Sequence, residues 1–472
     1  MKAGLFALAA LLCASPALAQ DPLAPVPEPS TPAETQASQS SQTVTPPVVV
    51  APAPAPIQVP RDWRGVFAAI RSGNWRSAEA GIAVLPNHVL TPVAKAELYT
   101  AKGSPTVDLA RLQALLVEAP DLPEAEQLAR MALSRGATTS PLIVQKRPLA
   151  FLGSAPRRSR AQAVQGEPAA DQLRIALEPL LKVDAAPDAE VQLLQAAPLL
   201  SAEARAEAGQ RIAWAYYQLG RDADARRVAD AWRNGARGDW AAQSAWVSGL
   251  ASWRLNDCEA ASRAFREVAA TSRERELAAG GYYWAARAEQ ACRRPRSVAP
   301  LLKAAARSNE SFYGLLARET LGLDTRLPPD PHNSSAAVES LPNVRRAAEL
   351  VAIGERWLAE DMLRHQARIG RAAEHHGLIE FAKRLDLAGA QFWLAHNGQP
   401  GAIADPADRY PAPRWAPITG WRVDPALAFA HIIQESTFRA DAVSPAQAVG
   451  LMQVRPGTAQ DMARARNLPY SR

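Results

Sequence analysis

The chain has 472 residues, with 53 Lys+Arg against 47 Asp+Glu, a formal charge of +6 and a pI near 9.4. That length exceeds one ordinary domain, and 48% apolar with 21% charged residues are globular proportions. The small positive excess excludes a histone-like nucleic-acid binder and fits weak attraction to an anionic polymer or surface; no internal apolar run reaches the ~20 residues that span a bilayer.

Residues 1–19 read as a secretory signal. Lys2 supplies the positive end, Leu5 to Cys13 an apolar core too short to span, and Ala17-Leu18-Ala19 a small-x-small cleavage site. Leu12 stands directly before Cys13, where a lipoprotein signal has a small residue, so an exported product without a lipid anchor is expected. Residues 20–60 hold eleven of the 39 prolines and no aromatic residue. The Ala-Pro repeat from Ala51 to Pro56 predicts extended polyproline II, and the segment buries too little apolar surface to offset its ordering entropy. It reads as a disordered tether. Without the signal two cysteines remain, Cys258 and Cys292. In an exported chain they bridge neighbouring helical hairpins or lie as two small buried side chains, and the sequence leaves both open.

From Arg61 the pattern is helical throughout, with Pro and Gly between amphipathic runs. A period of 36 relates Ala213, Gly249 and Ala285, and the same offset relates Tyr217 to Trp253 and Ala225 to Ala261. Each unit reads as an aromatic helix, a short turn (Leu219 to Arg221, Leu255 to Asp257) and an Ala-rich helix. That is close to a tetratricopeptide-type hairpin, and stacked hairpins predict an α-superhelix over residues 61–340. Trp63 to Ala80 and Glu124 to Leu133 look like looser copies. Residues 322–342, rich in Pro and polar residues, predict a hinge. A helical linker domain follows over 341–410, with Ala347, Leu350, Val351, Leu358 and Leu363 on helical spacing. His375 and His376 point about 100° apart on a helix, which does not converge on a metal, and solvated rings are expected.

Pro406, Pro411, Pro413 and Pro417 mark a boundary. Asp424 then reads as an N-cap and Pro425 as the first residue of a helix. Leu427 to Ile433 is apolar nearly all round apart from His431, which predicts a buried helix. Glu435 stands at its far end. Burial and the negative end of a helix both disfavour a charged carboxylate, so a glutamic acid that holds its proton is expected there. Such a group suits general-acid cleavage of a glycosidic bond; the alternative is a surface Glu just past a core helix. His431 precedes Glu435 by four residues, without the second histidine of a zinc helix. Further on, Gly450 predicts a turn, Pro456-Gly457 a second one, and Thr458 with Asp461 a capping box.

Gln434-Glu435-Ser436, Ser444-Pro445, and Gly450-Leu451-Met452-Gln453 followed by Pro456, Thr458 and Ala459 resemble the catalytic signature of soluble lytic murein transglycosylases. Tyr283 to Arg287 with Ser311 to Gly314 is similar to the superhelix that precedes that domain. The resemblance implies an all-α protein: a tetratricopeptide-like superhelix followed, over 411–472, by the first part of a lysozyme-like domain. It implies a periplasmic enzyme that cuts the β-1,4 bond between N-acetylmuramic acid and N-acetylglucosamine. The muramyl 6-hydroxyl displaces the bond and leaves a 1,6-anhydro end. Glu435 takes the place of its single general acid and base, so the two carboxylates of an ordinary glycosidase are not needed. Ser444 and Gln453 match positions that line the cleft; Ser436, Gly450, Leu451 and Met452 match positions that shape it. No cofactor and no metal are implied. The partners expected are peptidoglycan strands, with periplasmic proteins as further candidates, and neither nucleic acid nor a membrane span in the mature chain.

Four departures stand out. Ile433 occupies a position that is often Arg, Gln447 one that is usually Gly, and Arg455 one that is usually Met. The sequence ends at Arg472, before the further helices and Tyr-containing motif of the family, so a fragment is expected. Asp441, the nearest other carboxylate, reads as a loop residue. The competing expectation is a non-catalytic periplasmic scaffold that binds proteins or glycan through the superhelix.

Overall fold

The computed structural model describes residues 57–327 and 334–470. The predicted signal and nearly all of the tether lie outside the described residues, as does part of the predicted hinge. Among the described residues the protein is all-α, with twenty α-helices and a single pair of two-residue strands.

The first group is α1 (Trp63–Arg71), α2 (Trp75–Val84), α3 (Thr91–Thr100), α4 (Leu109–Glu118) and α5 (Ala125–Ser134). Asp62, Asn74 and Asp108 cap α1, α2 and α4 by accepting from backbone N–H groups in the first turn. Residues 138–167 then run as an extended strap. The second group packs each helix on its neighbours: α6 (Pro168–Lys182), α7 (Ala186–Ala196), α8 (Ala202–Gln218), α9 (Asp222–Trp232), α10 (Asp239–Arg254), α11 (Cys258–Thr271), α12 (Arg275–Ala291), α13 (Pro295–Ala306) and α14 (Phe312–Thr320).

The period of 36 read from the sequence is the hairpin repeat of this second group. Ala213, Ala285, Ala225 and Ala261 are fully buried where helices meet. A Cβ on Gly249 would run into the Phe265 ring. The turns between paired helices each hold one residue in the left-handed region: Gly220, Asn256 and Arg293. Ser311 caps α14 through Gly314 N–H (3.0 Å), and Tyr283 meets Tyr313 at 5.7 Å between ring centres. Cys258 and Cys292 form a disulfide with a Cα separation of 5.5 Å, tying α11 to the end of α12. Its removal by a reductant is expected to lower stability by about 2–4 kcal/mol for a loop of this length, with protection against hydrogen exchange lost first in α11 to α13.

The last group is α15 (Pro342–Ala352), α16 (Arg356–Ile369), α17 (His375–Arg384), α18 (Ala388–His396), α19 (Pro425–Glu435) and α20 (Pro456–Ala465). Helices α15 to α18 do not stand apart from the start of the chain. One apolar core takes Val66, Leu112, Leu116 and Leu128 from the first group and Leu350, Leu363, Leu378 and Leu394 from the last. It draws on both sides of the boundary expected at residue 340.

A buried polar network closes this contact. Arg346 pairs with Asp121 at 2.9 Å and donates to Asn343 Oδ1 at 2.7 Å. Asn343 Nδ2 donates to the Asp121 carbonyl at 2.8 Å, and His365 Nε2 lies 3.0 Å from the same oxygen. Burial pushes His365 down to about 4, so near neutral pH it serves as an uncharged donor. Nearby, Arg71 makes a bidentate ion pair with the buried Glu355. His375 is buried, not solvated as expected, with Nε2 2.8 Å from the Leu394 carbonyl. Helix α17 turns that ring toward the core shared with α18.

Two carboxyls in this contact are pushed up. Burial, then the charge of Glu124, raises Glu97 to about 7; burial raises Glu124 to about 6. A carboxyl raised in the folded state favours the fold when protonated. That contribution is complete at low pH and is lost as pH rises through 6 to 7. The unfolding midpoint is therefore expected to fall between about pH 5 and pH 8, and Glu97→Gln to remove on the order of 2–3 kcal/mol of that loss. Thermal unfolding across the range checks this.

Candidate active site

Asp424 caps α19 as its sequence predicts, accepting from Ala426 N–H at 2.8 Å, with Pro425 as the first helical residue. The expectation of burial all round does not hold. Only Phe429 and Ile432 of this helix are buried, while Leu427 is 54% exposed and His431 is exposed. The helix rests on α18 along one stripe, where Ala388 and Phe392 meet Phe429, Ile432 and Phe438. Trp415 and Trp421 close the edges, edge-on to Phe438 and Phe429. Arg414 anchors the approach by donating to Asp386 at 2.8 Å and to the Arg384 carbonyl. Ala426, Leu427 and Ala430 of the same helix are exposed. An apolar run alone cannot tell full burial from burial on one side.

Glu435 ends α19 with its side chain exposed. The burial expected at this position is therefore absent. The chain just beyond it is held hard. Ser436 is buried, with its hydroxyl 3.4 Å from the Ile432 carbonyl. Thr437 and Phe438 both take positive φ, at 52° and 64°. For a β-branched residue that is a strained conformation, and such strain gathers at functional sites. The sequence gives no sign of it. Packing accounts for part of it, because Phe438 must reverse direction to enter the small core under α19.

Residues 442–454 form a tight double turn. Ser444 Oγ accepts from Ala448 N–H at 3.0 Å, and its N–H donates to the Ala448 carbonyl at 2.9 Å. Gly450, at φ 75°, donates to the Ala442 carbonyl at 2.8 Å. Gln453 Nε2 donates to the carbonyls of Ala442 (3.0 Å) and Gly450 (2.8 Å). Val449 bridges to both Val443 and Val454. Leu451 packs into the core under α19, while Met452 is 42% exposed. Ser444, Gly450 and Gln453 thus hold the loop's own backbone, leaving Met452 on the surface. Helix α20 begins at Pro456, so Pro456-Gly457 is its first turn and not a separate one. Arg455 stands at its N-cap without a side-chain bond, and Thr458 is not a cap. Pro fits the first helical position because the N–H it lacks has no acceptor there.

Residues 416–472 match the family model described as Transglycosylase SLT domain. They are a transglycosylase SLT domain. The match covers 57 of the 472 residues. No curated protein matches the chain. Several solved structures are similar to it, three of them as follows. An inactive mutant of the lytic transglycosylase Slt from Pseudomonas aeruginosa shares 17% identity, with 87% of this chain and 72% of that one covered and a TM-score of 0.43. The 70-kDa soluble lytic transglycosylase from Escherichia coli shares 16%, with 87% and 82% covered and a TM-score of 0.45. A complex of the 70-kDa soluble lytic transglycosylase with bulgecin A shares 16%, with 87% and 71% covered and a TM-score of 0.46.

Within the SLT domain two of the departures have a local account. Ile433 is half-buried in the core against α18, a place that suits an apolar side chain. Gln447 sits at φ 62°, the left-handed conformation that glycine adopts without strain. Outside the domain, the described residues hold one group, His376, Asp405 and Asp408, whose ligand atoms lie within 4.8 Å of one another. The Lys383 ammonium lies 3.0 Å from one Asp408 oxygen, and Asp405 N–H donates to the other at 2.9 Å. A cation already serves that carboxylate.

Because so few residues hold α19 down, Ile432→Ala is expected to cost about 2 kcal/mol, the low end for truncating a core aliphatic. Hydrogen exchange should speed up in 416–470 while α8 to α13 stay protected.

Proposed function

We propose that this protein cleaves the β-1,4 bond between N-acetylmuramic acid and N-acetylglucosamine and leaves 1,6-anhydromuramyl ends, with Glu435 as general acid and then base. The observation that supports this most is the SLT-domain match over 416–472, which holds Glu435 at the end of α19 beside the strained Thr437-Phe438 step. The carboxyl gives its proton to the glycosidic oxygen as the bond to the muramyl anomeric carbon breaks. The muramyl 6-hydroxyl then bonds to that carbon, and its proton passes to Glu435. Acid and base roles thus fall to one group, and no water is consumed.

In the free protein Glu435 lies open to solvent, so the exclusion of water falls to the substrate. A glycan strand laid across the end of α19 would cover the carboxyl, and loss of water favours the neutral form of any carboxyl. The apolar surface at Leu427 and Met452 offers the sugars an edge to rest on. The place of action is the periplasm, on the reading of residues 1–19 as an export signal. Among the described residues no helix is long and apolar enough to cross a membrane.

Digestion of purified murein sacculi tests the reading. Wild-type protein should release fragments about 18 mass units lighter than the hydrolysis products, because the mechanism takes up no water. Glu435→Gln should lower release at least about a hundredfold, the usual scale for a lost general acid. Hydrated products would replace the transglycosylase with a hydrolase. Binding to sacculi without release would favour the scaffold.

A further inference from the structure

The strap and the second helical group enclose a groove of about 610 Å3 that is remote in sequence from the SLT domain. That is within the roughly 300–1,000 Å3 of ligand sites. Its lining holds three arginines (Arg158, Arg160, Arg211), three tryptophans (Trp214, Trp240, Trp246), three glutamines (Gln210, Gln218, Gln243) and no carboxylate. The absence of acid is local, since Glu207, next to the groove, is turned to Arg174 and Arg211.

The site is built by the first helices of two adjoining hairpins. Gln210, Trp214 and Gln218 recur every four residues along α8 and so share one face. Trp240, Gln243 and Trp246 come from α10, which packs beside it. The strap forms the third wall and is pinned there. Arg158 lies over the Trp246 ring, 4.6 Å from its centre, and donates to Gln243 Oε1 at 2.8 Å. Trp240 Nε1 donates to the Gln162 carbonyl at 2.8 Å, and Val164 N–H donates to Glu207 at 2.7 Å.

With the walls fixed in this way, several groups still face the space. Trp214 stacks on Tyr217 at 5.3 Å between ring centres and is 37% exposed. Arg160 has no ion-pair or hydrogen-bond partner among the described residues, and Gln210 and Gln218 make no side-chain bond there. Flat aromatic rings accept the C–H faces of pyranoses, primary amides match acetamido and hydroxyl groups, and guanidinium forks bind carboxylates. A neutral glycan would use the first two and leave the arginines idle. A bare peptide would not need the ring platform.

We infer that this groove is a second binding site, for N-acetylated glycan that bears carboxylate-containing peptide stems. The inference rests on the reading of the chain as a peptidoglycan enzyme, since it names the part of that polymer the superhelix holds while Glu435 cuts. Stem-bearing strands are then retained over bare ones by the Arg160 charge.

Calorimetric titration of the full Glu435→Gln chain tests this, with N-acetylglucosaminyl-N-acetylmuramyl-tetrapeptide as one probe and the N-acetylglucosamine tetramer as the other. Trp214→Ala and Arg160→Ala should each weaken the tetrapeptide probe about tenfold, the effect of one good contact. Trp214→Phe should keep most of the affinity. The tetramer should feel Trp214→Ala but not Arg160→Ala. Equal affinity of the tetrapeptide probe for the parent and both alanine variants, with unchanged thermal midpoints, would overturn the inference. So would capture of single-stranded DNA in place of the tetrapeptide probe with the same variant sensitivity. Sacculus digestion separates the two readings. If digestion fails but the tetrapeptide probe still depends on Trp214 and Arg160, the groove stands and the active-site reading falls. If digestion succeeds and the variants bind as the parent does, only the groove falls.

Discussion

The ion pair between Arg346 and Asp121 is the contact on which the placement of the SLT domain depends. It joins α15 to the loop before α5, more than two hundred residues earlier in the chain. Arg346 is buried, and an unpaired guanidinium in that setting is costly, so the pair tolerates no slippage. Asn343 and His365 hold the Asp121 carbonyl from two further directions. The apolar core around this network fixes α15 to α18 against α1 to α5, and α18 is the surface on which α19 rests.

Helix α19 is thus a lightly held element on a heavily held one. Three buried side chains and two tryptophan edges seat α19, whereas α18 belongs to the largest core of the molecule. The rigid part of the site is the backbone after Glu435. Its strained turn and the loop pinned by Gln453 set where the carboxyl stands without enclosing it. On the proposed reading, a carboxyl placed this way leaves its approach open to a glycan strand, which would then exclude water.

The strap gives the second and the last helical groups a common wall. It pairs with the end of α18 through Ala150 and Phe151, bonds to the His396 carbonyl at Leu152, and then crosses to α8 and α10. A segment without helix or long strand needs such partners, because its backbone groups have no internal ones. The same run places Arg158 over the Trp246 ring of the second group, so the groove and the closure share one covalent element.

Periodicity alone determined the helical class, the hairpin repeat about Ala213, Gly249 and Ala285, and the capped start of α19, because each rests on local spacing. The motif around Glu435 and Gly450 to Gln453 was legible for the same reason, as its residues lie close in the chain. The partner of Cys258 was half legible, since spacing allowed a bridge without requiring it. Only the tertiary structure decided that residues 338–394 share a core with the N-terminal helices, since contacts across such separations leave no local pattern. It alone decided that α19 is covered on one stripe, that Thr437 and Phe438 are forced into the left-handed region, and that Arg158 of the strap meets Trp246 of α10. Burial and long-range pairing depend on what arrives from elsewhere in the chain, and a sequence read in windows does not carry that information.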